Sequence, residues 1–360
     1  MRATLIVRLP NWLGDTVMAV PALRSLRTGA PDTRVVLVGP WAKLLAGQGL
    51  ADVLVPYARS WSARLAKWDE VRALGATTAI LFPNSFESAL AAWYWKAPRR
   101  VGFDAGGRKA LLTDVIPLPS PREHQVDEYA RVAERLDVEV RDRVPRLTPP
   151  PDDSPERETI RRLLGDVGAA NGGHVVGIHL GAVYGPSKLW PAEGIVELCR
   201  MLSDDGQIPL LLGARDDLDA AEAITRQTSA RSLVGRDGPE LLPALASELD
   251  ALVCGDTGVG HLAAAIGTPV VTLFGPTDPR LTAPRGPVRV LTHEVACAPC
   301  FYRACPIEHP CLRGITAAAV ADALAALAHA SRSATAAPGR DERVGAWGPF
   351  RGPHGIDTRG

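Results

Sequence analysis

Three separated stretches of the chain hold residues suited to phosphates, sugars and protons. The first is VCGDTGVGHLAAAIGTPVVTLFGPTDP, residues 253–279. A short apolar run ends at Cys254-Gly255, and Asp256, Thr257, Gly258, Val259, Gly260 and His261 follow before an alanine-rich segment. The stretch reads as strand, tight loop, helix, strand. A helix starting at Thr257 to Gly260 offers free backbone N–H groups and the positive end of its dipole to a phosphate. Glycine lets the backbone approach closely, and the Thr257 hydroxyl adds a donor. Asp256 repels phosphate and suits sugar hydroxyls. Capping of the helix by Asp256 and Thr257 explains the same residues equally well. His261 is as readily a core histidine as a ligand.

The second stretch is GAVYGPSKLWP, residues 181–191, again between an expected strand and helix. Lys188 there could neutralise a diphosphate. A lone lysine is more often just solvated, but this one shares its half of the chain with the first loop. The third stretch is RLPNWLGDT, residues 8–16. Asp15 lies where a strand gives way to a helix. It is either an N-cap or a carboxylate placed to take a proton from a hydroxyl nucleophile.

These loops need strands to carry them. ATLIVRL, RVVLVG (34–39), DVLVPY (52–57) and TTAILFP (77–83) read as strands, with a helix expected from Asp15 to Arg27. RLTPPPDDSPERE (146–158) reads as a linker, and Ser154-Pro155 as the start of a helix. HVVGIHLG (174–181), IPLLLGA (208–214), SLVG (232–235), ALVCG (251–255) and PVVTLFG (269–275) resume the strands. Such alternation implies α/β architecture with parallel sheets covered on both faces. The expected domains are residues 1–150 and 151–315. A helix is expected over 316–332, its return to the first domain left open, and a disordered tail rich in Gly, Pro, Arg and Ser over 333–360.

The bulk properties agree with two soluble domains. The chain has 360 residues, 46% hydrophobic and 22% charged. Forty basic residues balance forty acidic ones, which gives no support to nucleic-acid binding. No apolar window is long enough for a membrane span. The N-terminus is unlike a signal peptide, since Arg8 interrupts its short apolar run. A cytoplasmic location is expected, and the six cysteines are expected as thiols or ligands. No G-x-G-x-x-G follows the first strand and no G-x-x-x-x-G-K-[ST] occurs, which disfavours dinucleotide enzymes and P-loop NTPases.

Taken together, RLPNWLGDTVMAVPALRSLR, LFPNSFESALAAW, GPSKLWP, GDTGVGHLAAAIGTPVVTLFGPTDP and CAPCFYRACPIEHPCLRG resemble the lipopolysaccharide heptosyltransferases of glycosyltransferase family 9, nearest the heptosyltransferase II group. The resemblance covers residues 1 to about 330. It implies a GT-B fold, two Rossmann-like domains facing across a cleft. It implies inverting transfer of L-glycero-D-manno-heptose from ADP-heptose, held by the C-terminal domain. The acceptor would be the heptosyl-Kdo inner core of lipopolysaccharide, held by the N-terminal domain. Asp15 would be the base and Lys188 the support of the pyrophosphate. Asp256, Thr257, Gly258, Val259 and Gly260 would hold the donor, with His261 close by. No carboxylate pair at a metal spacing is visible, so lysine and helix amides are expected to meet the leaving charge, with no cofactor. Asp216 and Asp217 are both candidates for the donor's ribose.

On the acceptor side, YARSWSARLAKW (57–68) and AAWYWKAPRRVGF (91–103) mix basic and aromatic residues. Arg59, Arg64, Lys67, Arg99 and Arg100 are candidates to meet acidic groups, and Trp93 and Trp95 to stack on sugar or touch lipid. Each alone is better explained as a solvated face. The cluster suits an anionic acceptor at a membrane surface, with peripheral contact to the inner membrane. Cys297, Cys300, Cys305 and Cys311 form C-x₂-C-x₄-C-x₅-C around His309, a spacing that permits zinc. Without a second C-x₂-C, an inert thiol cluster is the favoured expectation. Three other readings stay open. One is a family 9 transferase with another donor or acceptor. The others are a GT-B-like nucleotide-sugar epimerase and a non-enzymatic nucleotide-sugar binder.

Overall fold

The computed structural model describes residues 2–57, 60–170, 172–236 and 238–335. They form two compact units, each built on one six-stranded parallel sheet. Unit 1 comprises residues up to Thr148 together with Arg280–Arg285, and unit 2 comprises Pro149–Pro279 and the chain from Gly286 onward.

In unit 1 the strands are β1 (Thr4–Arg8), β2 (Arg34–Gly39), β3 (Val53–Pro56), β4 (Thr78–Leu81), β5 (Arg99–Phe103) and β6 (Asp114–Ile116). Their spatial order is β3-β2-β1-β4-β5-β6. The helices are α1 (Leu13–Met18), α2 (Val20–Gly29), α3 (Trp61–Ala73), α4 (Phe86–Tyr94) and α5 (Gln125–Glu134). Unit 2 repeats the order as β12-β11-β10-β7-β8-β9. Its strands are β7 (Val175–His179), β8 (Ile208–Leu212), β9 (Arg231–Ser232), β10 (Ala251–Gly255), β11 (Val270–Phe274) and β12 (Val288–Thr292). Its helices are α6 (Pro155–Asp166), α7 (Ala192–Asp204), α8 (Leu218–Thr225), α9 (Leu242–Glu248) and α10 (Gly258–Ile266). The short turns α11 (Pro279–Thr282) and α12 (Pro310–Arg313) precede α13 (Ala317–Thr335).

The strand runs are apolar on both faces because both faces are covered. All five residues of β1 and all five of β11 are buried. In each sheet the winding reverses between two central neighbours, β1 beside β4 and β7 beside β10. Loops leaving the carboxyl ends of such a pair splay apart and leave a crevice for ligands.

Several elements depart from the sequence expectation. The expected helix from Asp15 to Arg27 is two helices, with Pro21 near the start of the second. Proline has no N–H for the preceding turn and its ring crowds the carbonyl there. Strands β5, β6 and β12 were not foreseen. Two arginines open β5, β6 has three residues, and β12 (VRVLT) is a half-exposed edge strand interrupted by Arg289. Ser154 does cap α6, its side chain accepting from the Arg157 N–H. Helix α13 stays with unit 2. Val320, Leu324 and Leu327 lie on one face and enter the core with Leu198, Leu202 and Leu273. The helix extends to Thr335, into the stretch expected as tail, and the rest of that tail lies outside the described residues.

The segment 280–285 also departs from a simple two-half division. His124 stands at the N-cap of α5, where its Nδ1 accepts from the Val126 N–H at 3.2 Å. Its Nε2–H donates to the Ala283 carbonyl at 2.9 Å. Both bonds require the neutral ring. Arg285 reaches Asp127 at 2.5 Å beside it. Burial, and then the Arg285 charge, lower the His124 pKa from its usual 6.5. The unfolded chain therefore takes up a proton at a pH where the folded chain does not. The His124 contribution is complete above about pH 6.5 and is lost as pH falls toward the folded value. Urea unfolding at about pH 8 and about pH 5.5 should show a larger acid loss for the wild type than for His124→Asn, which can cap without titrating. Equal losses would mean that His124 does not change protonation on unfolding.

Candidate active site

In unit 2 the two expected ligand loops meet. Lys188 ends a short 3₁₀ turn, Pro186–Lys188, after β7, and Asp256 follows β10. The Lys188 Nζ lies 2.5 Å from Asp256 Oδ2 and donates to the Asp256 carbonyl at 3.2 Å. The two side chains are only 10% and 9% exposed. Thr277 donates its hydroxyl to the same Asp256 oxygen at 2.7 Å. The Lys188 ammonium also sits 4.5 Å from the centre of the Tyr184 ring. Gly255 makes this approach possible, since a Cβ there would lie 2.8 Å from the Lys188 carbonyl oxygen.

Helix α10 begins beside this pair. Thr257 occupies its N-cap position but makes no side-chain cap. Its buried hydroxyl has no well-formed hydrogen bond, although it lies near enough to the Cys254 thiol to favour the thiolate. Burial dominates and pushes that thiol up to about 12, which keeps it protonated. Capping therefore does not explain Asp256 and Thr257: one is tied to Lys188 and Thr277, the other leaves the first-turn amides uncapped. Gly258, Val259 and Gly260 form the first turn, and His261 is buried at 4% exposure. Neighbouring Asp217 accepts from the Ala214 N–H at 2.9 Å and is wedged against Gly181 and Gly213, which leaves Asp216 the more exposed of the two candidate carboxylates.

In unit 1, Asp15 is not the N-cap. It lies half-buried in the first turn of α1, after Trp12 at the cap position. A helix N-terminus favours negative charge there. Tyr129 is close enough to feel the Asp15 charge, which together with burial holds the phenol protonated. Arg8, at the end of β1, is completely buried. It donates to the Leu9 carbonyl and, at 2.7 Å, to Asn11 Oδ1, and so shapes the loop that leads to Asp15. Glu87, at the start of α4, lies 3.8 Å from Arg8 and 3.6 Å from Arg64, and accepts from the Tyr57 hydroxyl at 3.1 Å. Burial, and then Glu87, raise the Tyr57 pKa, which keeps that hydroxyl a donor.

The other acceptor candidates are dispersed. Arg59 lies outside the described residues, and Lys67 pairs with Glu70. Arg99 and Arg100 open β5, at the opposite end of the strand from the ligand edge. Arg99 binds Asp114 and the Arg135 carbonyl, and Arg100 binds the Leu111 and Ala97 carbonyls. Trp95 is 1% exposed and belongs to the core, whereas Trp93 is 55% exposed. Among the described residues no group of three or more His, Cys, Asp and Glu side chains is arranged to hold a metal ion. The sequence reading passed over Arg8, Tyr57, Glu87, Tyr184 and Thr277. All five lie inside the stretches quoted above, where neighbouring residues carried the stronger signal.

The model of "Glycosyltransferase family 9 (heptosyltransferase)" matches residues 64–310, more than half of the chain. The chain belongs to glycosyltransferase family 9. It is 27% identical over 299 residues to the lipooligosaccharide heptosyltransferase 2 of Haemophilus influenzae, covering 76% of this chain and 84% of the relative. It is 28% identical over 295 residues to the lipopolysaccharide heptosyltransferase 2 of Salmonella typhimurium, covering 76% and 83%. The solved ADP-heptose lipopolysaccharide heptosyltransferase II of Escherichia coli superposes with a TM-score of 0.77 at 26% identity, covering 91% of this chain and 99% of that one. The protein is a glycosyltransferase of GT-B class.

In this family 9 enzyme the Lys188–Asp256 contact makes a testable pair. Asp256→Ala would leave a nearly buried ammonium without its partner, at a cost of about 3–5 kcal/mol. In a Lys188→Met background the same change should cost far less. Chemical denaturation of the four proteins of this cycle measures the coupling. Additive losses would mean that the two side chains do not depend on each other.

Proposed function

We propose that this enzyme is an inverting heptosyltransferase. It moves L-glycero-D-manno-heptose from ADP-heptose to the heptosyl-Kdo inner core of lipopolysaccharide. The observation that carries the reading is Lys188 held on Asp256 at the switch point of unit 2, beside the uncapped start of α10. A cation and helix amides suit a diphosphate. Asp256, with its second oxygen and its Thr277 support, suits sugar hydroxyls.

Unit 1 supplies the base. Asp15 takes the proton from an acceptor hydroxyl, and that oxygen bonds to the anomeric carbon of the heptose. The bond from that carbon to the diphosphate oxygen breaks, and ADP departs with the electron pair. Lys188 and the amides of Gly258 to Gly260 meet the charge that develops there. One displacement inverts the centre. Arg64, beside Glu87 and Tyr57, is the arginine placed to meet an acidic group of the acceptor.

Asp15→Asn should lower kcat by ~10²–10⁴-fold, the usual scale for a lost general base. Its affinity for ADP, measured by isothermal titration against UDP and GDP, should stay within about two-fold of the wild type, a difference of roughly 0.4 kcal/mol. Near-normal turnover of Asp15→Asn would remove the base assignment. Preference for UDP or GDP would remove the ADP-heptose assignment and keep the family.

We also propose peripheral contact with the membrane that holds the acceptor. Among the described residues no helix is long and apolar enough to cross a membrane. Trp12, Trp61, Leu65 and Phe86 are exposed large apolar residues on the connections that leave β1, β3 and β4. Aromatic rings of this kind suit a headgroup layer. Trp12→Ser with Trp61→Ser should reduce co-sedimentation with vesicles containing anionic lipid. Unchanged sedimentation would sink the assignment of these residues.

A further inference from the structure

The cysteine-bearing segment has no part in the chemistry above, yet it touches the loop that holds Lys188. That loop runs from Gly181 to Leu189 and contains only one 3₁₀ turn of its own. Its shape depends on what it packs against. Tyr184 donates its hydroxyl to the Phe301 carbonyl at 2.6 Å. Ser187, 1% exposed, donates its hydroxyl to the Tyr302 carbonyl at 2.6 Å and its N–H to the Arg303 carbonyl at 3.1 Å. The Arg303 guanidinium lies 5.5 Å from the centre of the same Tyr184 ring that carries Lys188. At Gly185, φ is +150°, and a Cβ would come within 2.5 Å of the Arg303 carbonyl oxygen. No side chain fits between the two segments there.

The far side of the segment is anchored as well. The Phe301 N–H donates to the Pro276 carbonyl at 2.8 Å, one residue before the threonine that holds Asp256. The Cys311 sulfur packs where a Cβ of Gly275 would lie, at 2.8 Å, and Cys311 and Leu312 are buried. The His309 N–H donates to the Cys305 sulfur at 3.2 Å. The cysteines form no disulfide, and Phe301 and Tyr302 point much of their surface to solvent. The hydrogen bonds from the loop to the segment all go to three successive backbone carbonyls, and the Arg303 guanidinium over the Tyr184 ring is the side-chain contact beside them.

We propose that residues 297–311 form a strut that sets the position of Lys188, with Tyr184 and Ser187 as the positioning residues. The proposal rests on the reading of Lys188 as the partner of the donor's diphosphate. The strut bridges the two halves of the site in unit 2. One end fixes the loop that carries Lys188, and the other fixes the Gly275–Thr277 turn that carries the support of Asp256. A loop with only one short turn of its own could not hold a lysine against a carboxylate without such a brace.

The test reads the position of Lys188 without any ligand. Reductive methylation of the full-length protein, followed by mass spectrometry, gives the labelling rate of each lysine. In Tyr184→Phe and in Ser187→Ala, Lys188 should label several-fold faster, while Lys43 and Lys109 in unit 1 keep their rates. ADP affinity by titration should fall by about two- to ten-fold in each variant, the scale of one hydrogen bond. In a Lys188→Ala background the same two substitutions should leave ADP affinity unchanged. Unaltered Lys188 labelling in both variants, or equal affinity losses with and without Lys188, would overturn the strut. If Lys188→Ala alone leaves ADP affinity unchanged, the diphosphate reading falls, and the labelling rates still decide the strut.

Discussion

The contact on which the rest of unit 2 depends is the salt bridge of Lys188 with Asp256. Both groups are about nine-tenths buried, and burial of two charges is costly. Two apolar residues would hold these loops together at least as well, because a buried ion pair returns little net stability over well-packed hydrophobic neighbours. The pair makes better sense as a site at rest. In the proposed reading, the Asp256 carboxylate occupies the ammonium until the donor's diphosphate can share it. Thr277 and the Tyr184 ring hold the two partners at that distance. Everything else in the neighbourhood follows from keeping the approach short: glycine at 255, the tight turn at 186–188, and the carbonyl grip on Tyr184 and Ser187.

The two units share one winding but solve the crevice differently. In unit 2 a lysine, a helix start and a carboxylate gather at the ends of β7 and β10, an arrangement fitted to a polyanion that carries a sugar. In unit 1 the loop after β1 leads to a carboxylate in the first turn of α1, and Arg8 at the end of β1 is buried and bonded within that loop. Arg8 loses solvation at the end of β1, which lowers its pKa, and Glu87 only partly offsets that. Its bonds to the Leu9 carbonyl and Asn11 fix the path of the loop. On the connection that leaves β3, Arg64 pairs with Glu87 and lies 5.7 Å from the centre of the Tyr57 ring.

Much of this was legible in the sequence because it is local. The apolar runs gave most of the strands, and the polar residues just after them gave Asp15, Lys188 and Asp256. Pairing is not local. Lys188 and Asp256 are 68 residues apart, and only the adjacency of β7 and β10 brings them together. Arg8 looked like an interruption in an apolar run and is in fact one of the largest fully buried side chains. Arg99 and Arg100 looked like a basic patch because their strand begins with them, and a parallel strand carries its first residues away from the ligand edge. His124 gave no signal, since its partner Ala283 comes from the far half of the chain.

The same reasoning explains why the cysteine-bearing segment was hard to read. Its sequence advertises four thiols, which invites a metal or a disulfide. Its contacts with the site run through the carbonyls of Phe301, Tyr302 and Arg303, and carbonyls are identical in every residue. What the side chains contribute is the fold of the segment: Cys311 and Leu312 fill the space over Gly275, and the Cys305 sulfur takes the His309 N–H. Cys311 therefore matters as a small, soft packing group that lets the segment lie close against the backbone of Gly275. A bulkier residue at 311 would lift the segment from Gly275 and carry the Pro276 and Phe301 contact with it. In the proposed reading, the position of Lys188 is then tied to packing at the Cys311 sulfur.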